Sequence, residues 1–463
     1  MLCTVAHILH CTVFLAFIGI VAFFNGVFSP DDNPLSSLER YGWWGTIPLY
    51  ILRILSFLVL PQSLVNLFGL IIFNAFREKV TLKSDAKNAP FISFRVVTRG
   101  LYPRLVKVVT DNALDLEQNS KVREIVVPPS YETKSGARFK ARALQFCLED
   151  DVNQLKDSDW IVHLDEETLL TENSIYGILN FCTDGRRQFG QGVITYANGE
   201  IVNWLTTLCD GYRVAEDMGK IRLQLRLFRK PLFGWKGSYV VSQVEAERAV
   251  SFDHGIDGSI AEDTYFGLVA TQKGYAFDFI EGEMLEKSPF TLGDFLQQRK
   301  RWLQGFMLTA HSCAIAFHCK ILLALSLYSR IFLPFTTLQV VTTPFFPLPK
   351  CVVADALLAI IAAINIYLYV YGIVKSLSFR YSCSKGGRWK NAWRFPVYTL
   401  GACLASPVDL ILENIAVLLG LWGDKRKFFI VQKERQAESS SGTTVGSHQA
   451  ETLSTPPSNP SPT

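Results

Sequence analysis

Three short runs in this chain hold residues whose types and spacing suit chemistry: Asp165-Glu166-Glu167, Glu262-Asp263, and Gln297-Gln298-Arg299-Lys300-Arg301-Trp302. Asp165 and Glu167 are alternate carboxylates at the exit of an apolar strand. Mg²⁺ or Mn²⁺ accepts one or two such carboxylates and completes its shell with water and phosphate oxygens. Glu166, Glu167 and Thr168 equally suit the opening of a helix that begins near Asn173. Asp263 suits a general base, a carboxylate that takes a proton from an attacking hydroxyl, and it suits a helix N-cap as well. Gln298 and Arg301 lie three apart on one helical face, which fits gripping a diphosphate while Trp302 stacks on a sugar or a neighbouring stretch of chain. The same run fits a basic amphipathic helix at a membrane surface, because Leu292, Phe295, Leu296 and Leu303 give it an apolar face.

These groups need elements that bring them together. Residues 91–98, 123–127 and 160–164 read as short buried strands, with helical patterns at about 102–118 and 136–149 between them. That alternation predicts an α/β domain with a mostly parallel sheet. Ligands in such sheets bind beyond the carboxyl ends of the strands, where Asp165 stands.

The rest of the chain points to a membrane. Of 463 residues 49% are hydrophobic and only 19% charged, and the apolar residues gather at the two ends. Residues 5–28 carry no charge and are long enough to cross a bilayer, and a second apolar region at 46–76 is interrupted by Arg53 and Pro61. Apolar stretches return at about 306–347, 351–374 and 396–421. Asp409 and Glu413 make the last of these an interfacial or re-entrant segment rather than a simple span. The expected organisation is an N-terminal transmembrane region over 1–76 with about two spans, a catalytic domain over 77–303, a transmembrane or interfacial region over 304–432, and a disordered Ser/Thr/Pro-rich tail over 433–463. Arg77, Lys79 and Lys83 after the second span, and the basic loop from Lys375 to Arg394, put the middle domain in the cytosol. The net charge of +4 is not gathered on a folded face, so no nucleic-acid partner is expected. Ten scattered cysteines without a C-x-x-C pair predict reduced thiols. Cys3, His7, His10 and Cys11 share a helical face, where small polar residues of a first span satisfy their neighbours more often than they hold a metal.

Taken in order, Lys140 in a helix, the acids at 165–167, the pair at 262–263 and Gln298-x-x-Arg301-Trp302 before a membrane segment resemble the family 2 inverting glycosyltransferases, whose fold is called GT-A. The stretches Arg95-Val-Val-Thr-Arg-Gly100, Val126-Val-Pro-Pro-Ser-Tyr-Glu-Thr-Lys-Ser-Gly136, Phe139-Lys-Ala-Arg-Ala-Leu144 and Gly234-Trp-Lys-Gly-Ser-Tyr239 resemble the egghead-type β-1,4-mannosyltransferases. That resemblance implies transfer of mannose from GDP-mannose to the 4-hydroxyl of glucosylceramide, in Golgi or endoplasmic reticulum membranes. It places a divalent cation on Asp165 and Glu167, catalysis on Asp263 with Glu262, and donor or acceptor binding on Thr98, Arg99, Lys140, Trp235, Gly237, Gln298, Arg301 and Trp302. One feature departs from the pattern. Many members end their second strand with an Asp that contacts the nucleotide base, whereas this strand runs into Pro128-Pro129. The rival readings are a processive polysaccharide synthase, a multi-span transporter built around Arg53, Asp409 and Glu413, and a glycoside hydrolase with Glu166 and Glu262 as its acid pair.

Overall fold

The computed structural model describes residues 2–29, 36–76, 79–83, 89–97, 107–110, 123–196, 201–382 and 394–424. Three helices come first, α1 (Leu2–Phe24), α2 (Ser37–Leu55) and α3 (Leu60–Ile72). A 3₁₀ turn over Ser56–Val59 divides the last two, and Pro61 in the first turn of α3 marks the break because its ring cannot continue the preceding ladder. A central domain follows: β1 (Ile92–Val97), β2 (Lys107–Thr110), β3 (Arg123–Val126), α4 (Phe139–Phe146), β4 (Trp160–Leu164), α5 (Glu172–Asp184), β5 (Phe189–Thr195), α6 (Trp204–Glu216), β6 (Val240–Gln243), α7 (Val244–Val250), α8 (Glu262–Gln272) and β7 (Phe277–Leu285). The chain continues through α9 (Leu292–His311), α10 (Phe317–Ile331), α11 (Leu333–Thr342), α12 (Val352–Ser382) and α13 (Arg394–Trp422).

The seven strands form one sheet in the order β3-β2-β1-β4-β6-β5-β7. The sheet is mixed, not mostly parallel, because β6 runs antiparallel to both β4 and β5. The cause lies in the path between β5 and β6. After β5 the chain enters α6 and two wider π turns at Asp217–Ile221 and Gln224–Phe228. This helical run packs on the apolar helix α12 instead of lying across the sheet: a Cβ on Gly372 of α12 would meet the Gly211 carbonyl oxygen of α6 at 1.7 Å, so only two glycines allow the crossing. The run ends near the start of β7, where the Phe277 N–H donates to the Arg229 carbonyl at 3.1 Å. Residues 230–239 then double back to the end where β4 finishes, and β6 must start from there.

A second correction concerns 102–118, expected as helix. Residues 107–110 are β2, paired in parallel with β1 on one side and β3 on the other, where β-branched Val108 and Val109 suit a pleated surface. The remainder of that stretch, like Thr98, Arg99 and the tail from 433, lies outside the described residues.

β4 is buried along its whole length, and the site depends on its position. A carboxylate fixes it. Glu247 of α7, fully buried, accepts from Arg95 of β1 at 3.0 Å and pairs with His163 of β4 at 2.7 Å, and Ser242 of β6 also donates to it. Burial alone would raise this carboxyl, but His163, Arg95 and Ser242 outweigh it and hold it down at about 2.

Four helical stretches are long and apolar enough to cross a membrane, Cys3–Phe24, Ser37–Ile72, Val352–Leu377 and Phe395–Trp422, and α10 with α11 would make a fifth, bent by 51°. α13 packs on α6 and α9 on one side and on α12 and α11 on the other. Tyr398 stacks on Trp204 of α6 at 4.9 Å, Ala405 and Leu412 pack with Phe295 of α9, and Gly420 lies under Leu303. Removing the buried carboxylate with Glu247→Ala strands the Arg95 guanidinium and should lower stability by about 3–5 kcal/mol. Thermal unfolding of the purified protein reads this, and an unchanged midpoint would contradict the role given to Glu247.

Candidate active site

The carboxylates meet where β4 ends and β6 begins. Leu164 is the last buried residue of β4, and Asp165 follows with its backbone N–H donating to Ser238 at 3.2 Å. Thr168 donates to Glu286 at 2.7 Å and shares a hydroxyl contact of 2.9 Å with Ser238, so the turn is tied down at both ends. The following helix, α5, is capped by Thr171, which exchanges hydrogen bonds with Ser174. Glu166, Glu167 and Thr168 therefore do not open α5. They stay in the turn, and Asp165, Glu166 and Glu167 line the cleft beside it.

Lys140, in the first turn of α4, reaches Asp165 at 2.7 Å, Glu262 at 3.7 Å and the Gly237 carbonyl at 3.4 Å. Burial would lower its pKa, but the charges of Asp165 and Glu262 outweigh this and hold it above the ordinary lysine value. Glu262 and Asp263 form the first turn of α8, whose N-cap is Ala261, so Asp263 is not the cap. One Asp263 oxygen accepts the Thr264 N–H at 2.6 Å. Burial, then the charge of Glu262, pushes the Asp263 carboxyl up to about 7 against the pull of Thr264 and Lys140. A carboxylate with that pKa exchanges protons near neutrality.

Gly237 sits at the centre of this group. A Cβ there would lie 3.3 Å from both Asp263 Oδ2 and Lys140 Nζ and 3.4 Å from Glu262 Oε1, filling the space the acids face. Trp235 lines the cleft with only a small part of its surface. It is 4% exposed, with its ring edge-on to Phe277 at 4.9 Å and stacked on Phe266, so it backs the wall of the cleft.

α9 forms another wall. Gln298 is 5% exposed, lines the cleft, and its amide oxygen has no hydrogen-bond partner, which leaves it open to a ligand. Arg301 lines the same cleft. Trp302 faces its own chain, with the guanidinium groups of Arg213 and Arg299 over its ring at 4.3 and 4.5 Å. Arg299 donates to Asp210 of α6 at 2.8 Å and lies 2.9 Å from Glu413 of α13. Sequence reasoning passed over Arg213, Asp217, Lys236 and Glu286, all on the cleft wall, with Asp217 ion-paired to Lys236 at 2.5 Å. The available signal was charges at three- and four-residue spacing, Asp210, Arg213, Glu216 and Lys220, inside an otherwise apolar helix.

The cleft has a volume of about 1070 Å³. It runs without interruption from Asp165 and Asp263 past Trp302 to side chains of α10, α11, α12 and α13. Two carboxylates on a turn, open to a space that admits a diphosphate, fit a Mg²⁺ or Mn²⁺ ion, which takes its remaining ligands from phosphate and water. Among the described residues, His7, His10 and Cys11 of α1 are the one group of three whose ligand atoms lie within 4.8 Å of one another. His7 is already engaged there by the Ile71 carbonyl and the Ala75 N–H.

Residues 160–375 match the profile of the glycosyl transferase family group 2. Over 94% of its length the chain is 57% identical to β-1,4-mannosyltransferase bre-3 of Caenorhabditis briggsae and to its namesake in Caenorhabditis elegans, each covered to 99%. It is 53% identical to β-1,4-mannosyltransferase egh of Drosophila melanogaster, over 93% of this chain and 98% of that one. A solved mannosyltransferase from Pyrobaculum calidifontis, in complex with GDP-Man and Mn²⁺, aligns over 81% of this chain and 99% of its own at 15% identity and a TM-score of 0.44, too distant to bear on mechanism. With near-complete coverage at more than half identity, the chain belongs to the β-1,4-mannosyltransferase family of bre-3 and egh, within the family 2 glycosyltransferases.

Proposed function

We propose that this mannosyltransferase moves one mannose from GDP-mannose to the 4-hydroxyl of glucosylceramide. It would work at a Golgi or endoplasmic reticulum membrane with its catalytic domain in the cytosol. The observation that carries the lipid acceptor is the continuity of the cleft, in which the carboxylates and the apolar helices line one space. A sugar head group held at the bilayer surface can enter such a space while its chains stay in lipid.

The chemistry is an inverting displacement. The acceptor oxygen attacks the anomeric carbon, the bond from that carbon to the diphosphate breaks, and GDP leaves with the electron pair. Asp263 receives the hydroxyl proton, and its pKa of about 7 leaves a large ionised fraction at neutral pH. Glu262 raises the basicity of Asp263 by its charge and helps hold Lys140. Asp165 and Glu167 would hold a divalent cation, which when bound offsets charge building on the leaving diphosphate. Arg301 and Lys140 add fixed positive charge on the same side, and Gln298 offers its unpartnered amide oxygen to a hydroxyl. Gly237 keeps room for the acceptor, Trp235 supports that wall from behind, and Trp302 orients α9 through its arginines. Thr98 and Arg99 are assigned to donor or acceptor binding by the resemblance of their motif.

Purified protein offered glucosylceramide with GDP-mannose, and separately with UDP-glucose, should yield a lipid heavier by one hexose from GDP-mannose alone, and none with chelator present. A ladder of lengthening products, or transfer only from the UDP sugar, would overturn this reading. Asp263→Asn should slow turnover by ~10²–10⁴. The pH profile gives a sharper test. The base must be ionised, so kcat/KM should rise with pH and level off above about 7. Glu262→Gln removes a charge that raises the Asp263 pKa, so the break should move to lower pH; a break that stays in place would separate Asp263 from the profile.

A further inference from the structure

Transfer of a sugar at the membrane surface needs only the catalytic end of the cleft, yet the cleft goes much further. Along α12 it is lined from Tyr369 through Asn365 to Asp355, a run of about 21 Å at the α-helical rise. Near its other end α12 is fastened to the catalytic domain, where Lys375 pairs with Glu283 at 2.6 Å. Asp355 thus stands about 30 Å along α12 from this anchor, the thickness of a hydrocarbon core. Across the cleft, Arg330, Thr336 and Gln339 of the bent α10–α11 pair present polar groups at successive levels. Arg330 makes no direct ion pair among the described residues, and its charge acts on Glu216 and Tyr212 of α6, which line the same cleft. A guanidinium within an apolar helix pair faces water or a polar occupant. Sugar hydroxyls find no hydrogen-bond partners in lipid, and the polar side chains of α10, α11 and the two ends of the α12 run lower that barrier. The acyl chains have a seam beside α11, none of whose residues is buried and which is tied to its neighbours through Asn414 to Thr337 at 3.0 Å and Ser56 to Gln339 at 3.2 Å.

We propose that the far half of the cleft is a slot through which the sugar head group of a glycolipid crosses the bilayer, so that the enzyme also passes its glycolipid to the opposite leaflet. The inference rests on the acceptor being a glycolipid. Passage needs no energy source; its direction follows the gradient that synthesis creates.

The test uses full-length protein in vesicles containing a trace of NBD-labelled glucosylceramide, with dithionite added outside. Protein-free vesicles should keep their inner-leaflet fluorescence, and vesicles with wild-type protein should lose it. Asp263→Asn should lose it equally, because passage does not require transfer. Ala362→Trp fills the slot midway between Tyr369 and Asp355, at a position with open space beside it. It should return passage to the protein-free rate while outside lipid is still mannosylated from outside GDP-mannose. Leu358→Trp, one turn further on, gives the same reading independently should Ala362→Trp fold poorly. Wild-type vesicles that mannosylate outside lipid but protect the inner pool would overturn the slot, as would equal passage of NBD-labelled phosphatidylcholine. Passage of the labelled glucosylceramide without its mannosylation would support the slot and remove the acceptor assignment instead.

Discussion

A single lysine balances the charges of the active site. Lys140 reaches two carboxylates directly and lies in the field of a third, Asp263, within one cleft. Two unit charges 4 Å apart repel by about 4 kcal/mol at the effective dielectric of a protein surface, so the acids need a cation to gather at all. Much of the surrounding fold can be understood as serving this contact. β4 must end at Asp165, α8 must begin at Glu262, and the backbone between them must lack a side chain at Gly237. That last demand explains the reversed strand, because only a chain returning to this end of the sheet before β6 can bring Gly237 between α4 and α8.

The same economy of charge joins the catalytic domain to the apolar helices. Arg299, 3% exposed, holds Asp210 of α6 and Glu413 of α13 and covers the ring of Trp302. Lys375 of α12 holds Glu283 of β7. Buried ion pairs add little net stability, but breaking one leaves an uncompensated charge, so they fix the relative placement of the elements that carry them. The helix with Gln298 and Arg301 is therefore set by residues on helices whose outer faces are apolar.

Some of this was legible in the sequence. The strand Trp160–Leu164 could be read to the residue because five buried positions run straight into an acidic turn, and the helix through Gln298 and Trp302 because its apolar face and cations separate cleanly. Arg299 was not distinguishable from Lys300 and Arg301, since the partners that bury it lie far away along the chain. Residues 107–110 were lost in an apparent helical repeat that parallel pairing overrides. The direction of β6 was invisible because it follows from where α6 packs, and α6, with a charge every third or fourth residue, resembles a solvent-facing helix until α12 is placed against it. The depth of Trp235 was not legible either, because the Phe266 and Phe277 rings that pack on it come from elements further along the chain.

The most direct measurement is a structure of the protein in lipid with GDP, a divalent ion and glucosylceramide bound. The account predicts the ion between Asp165, Glu167 and the diphosphate, the diphosphate against Arg301, and the glucose 4-hydroxyl within about 2.6–3.2 Å of an Asp263 oxygen. A glucose 4-hydroxyl held by Glu166 or Glu167, with Asp263 turned toward Thr264 and out of reach, would contradict it.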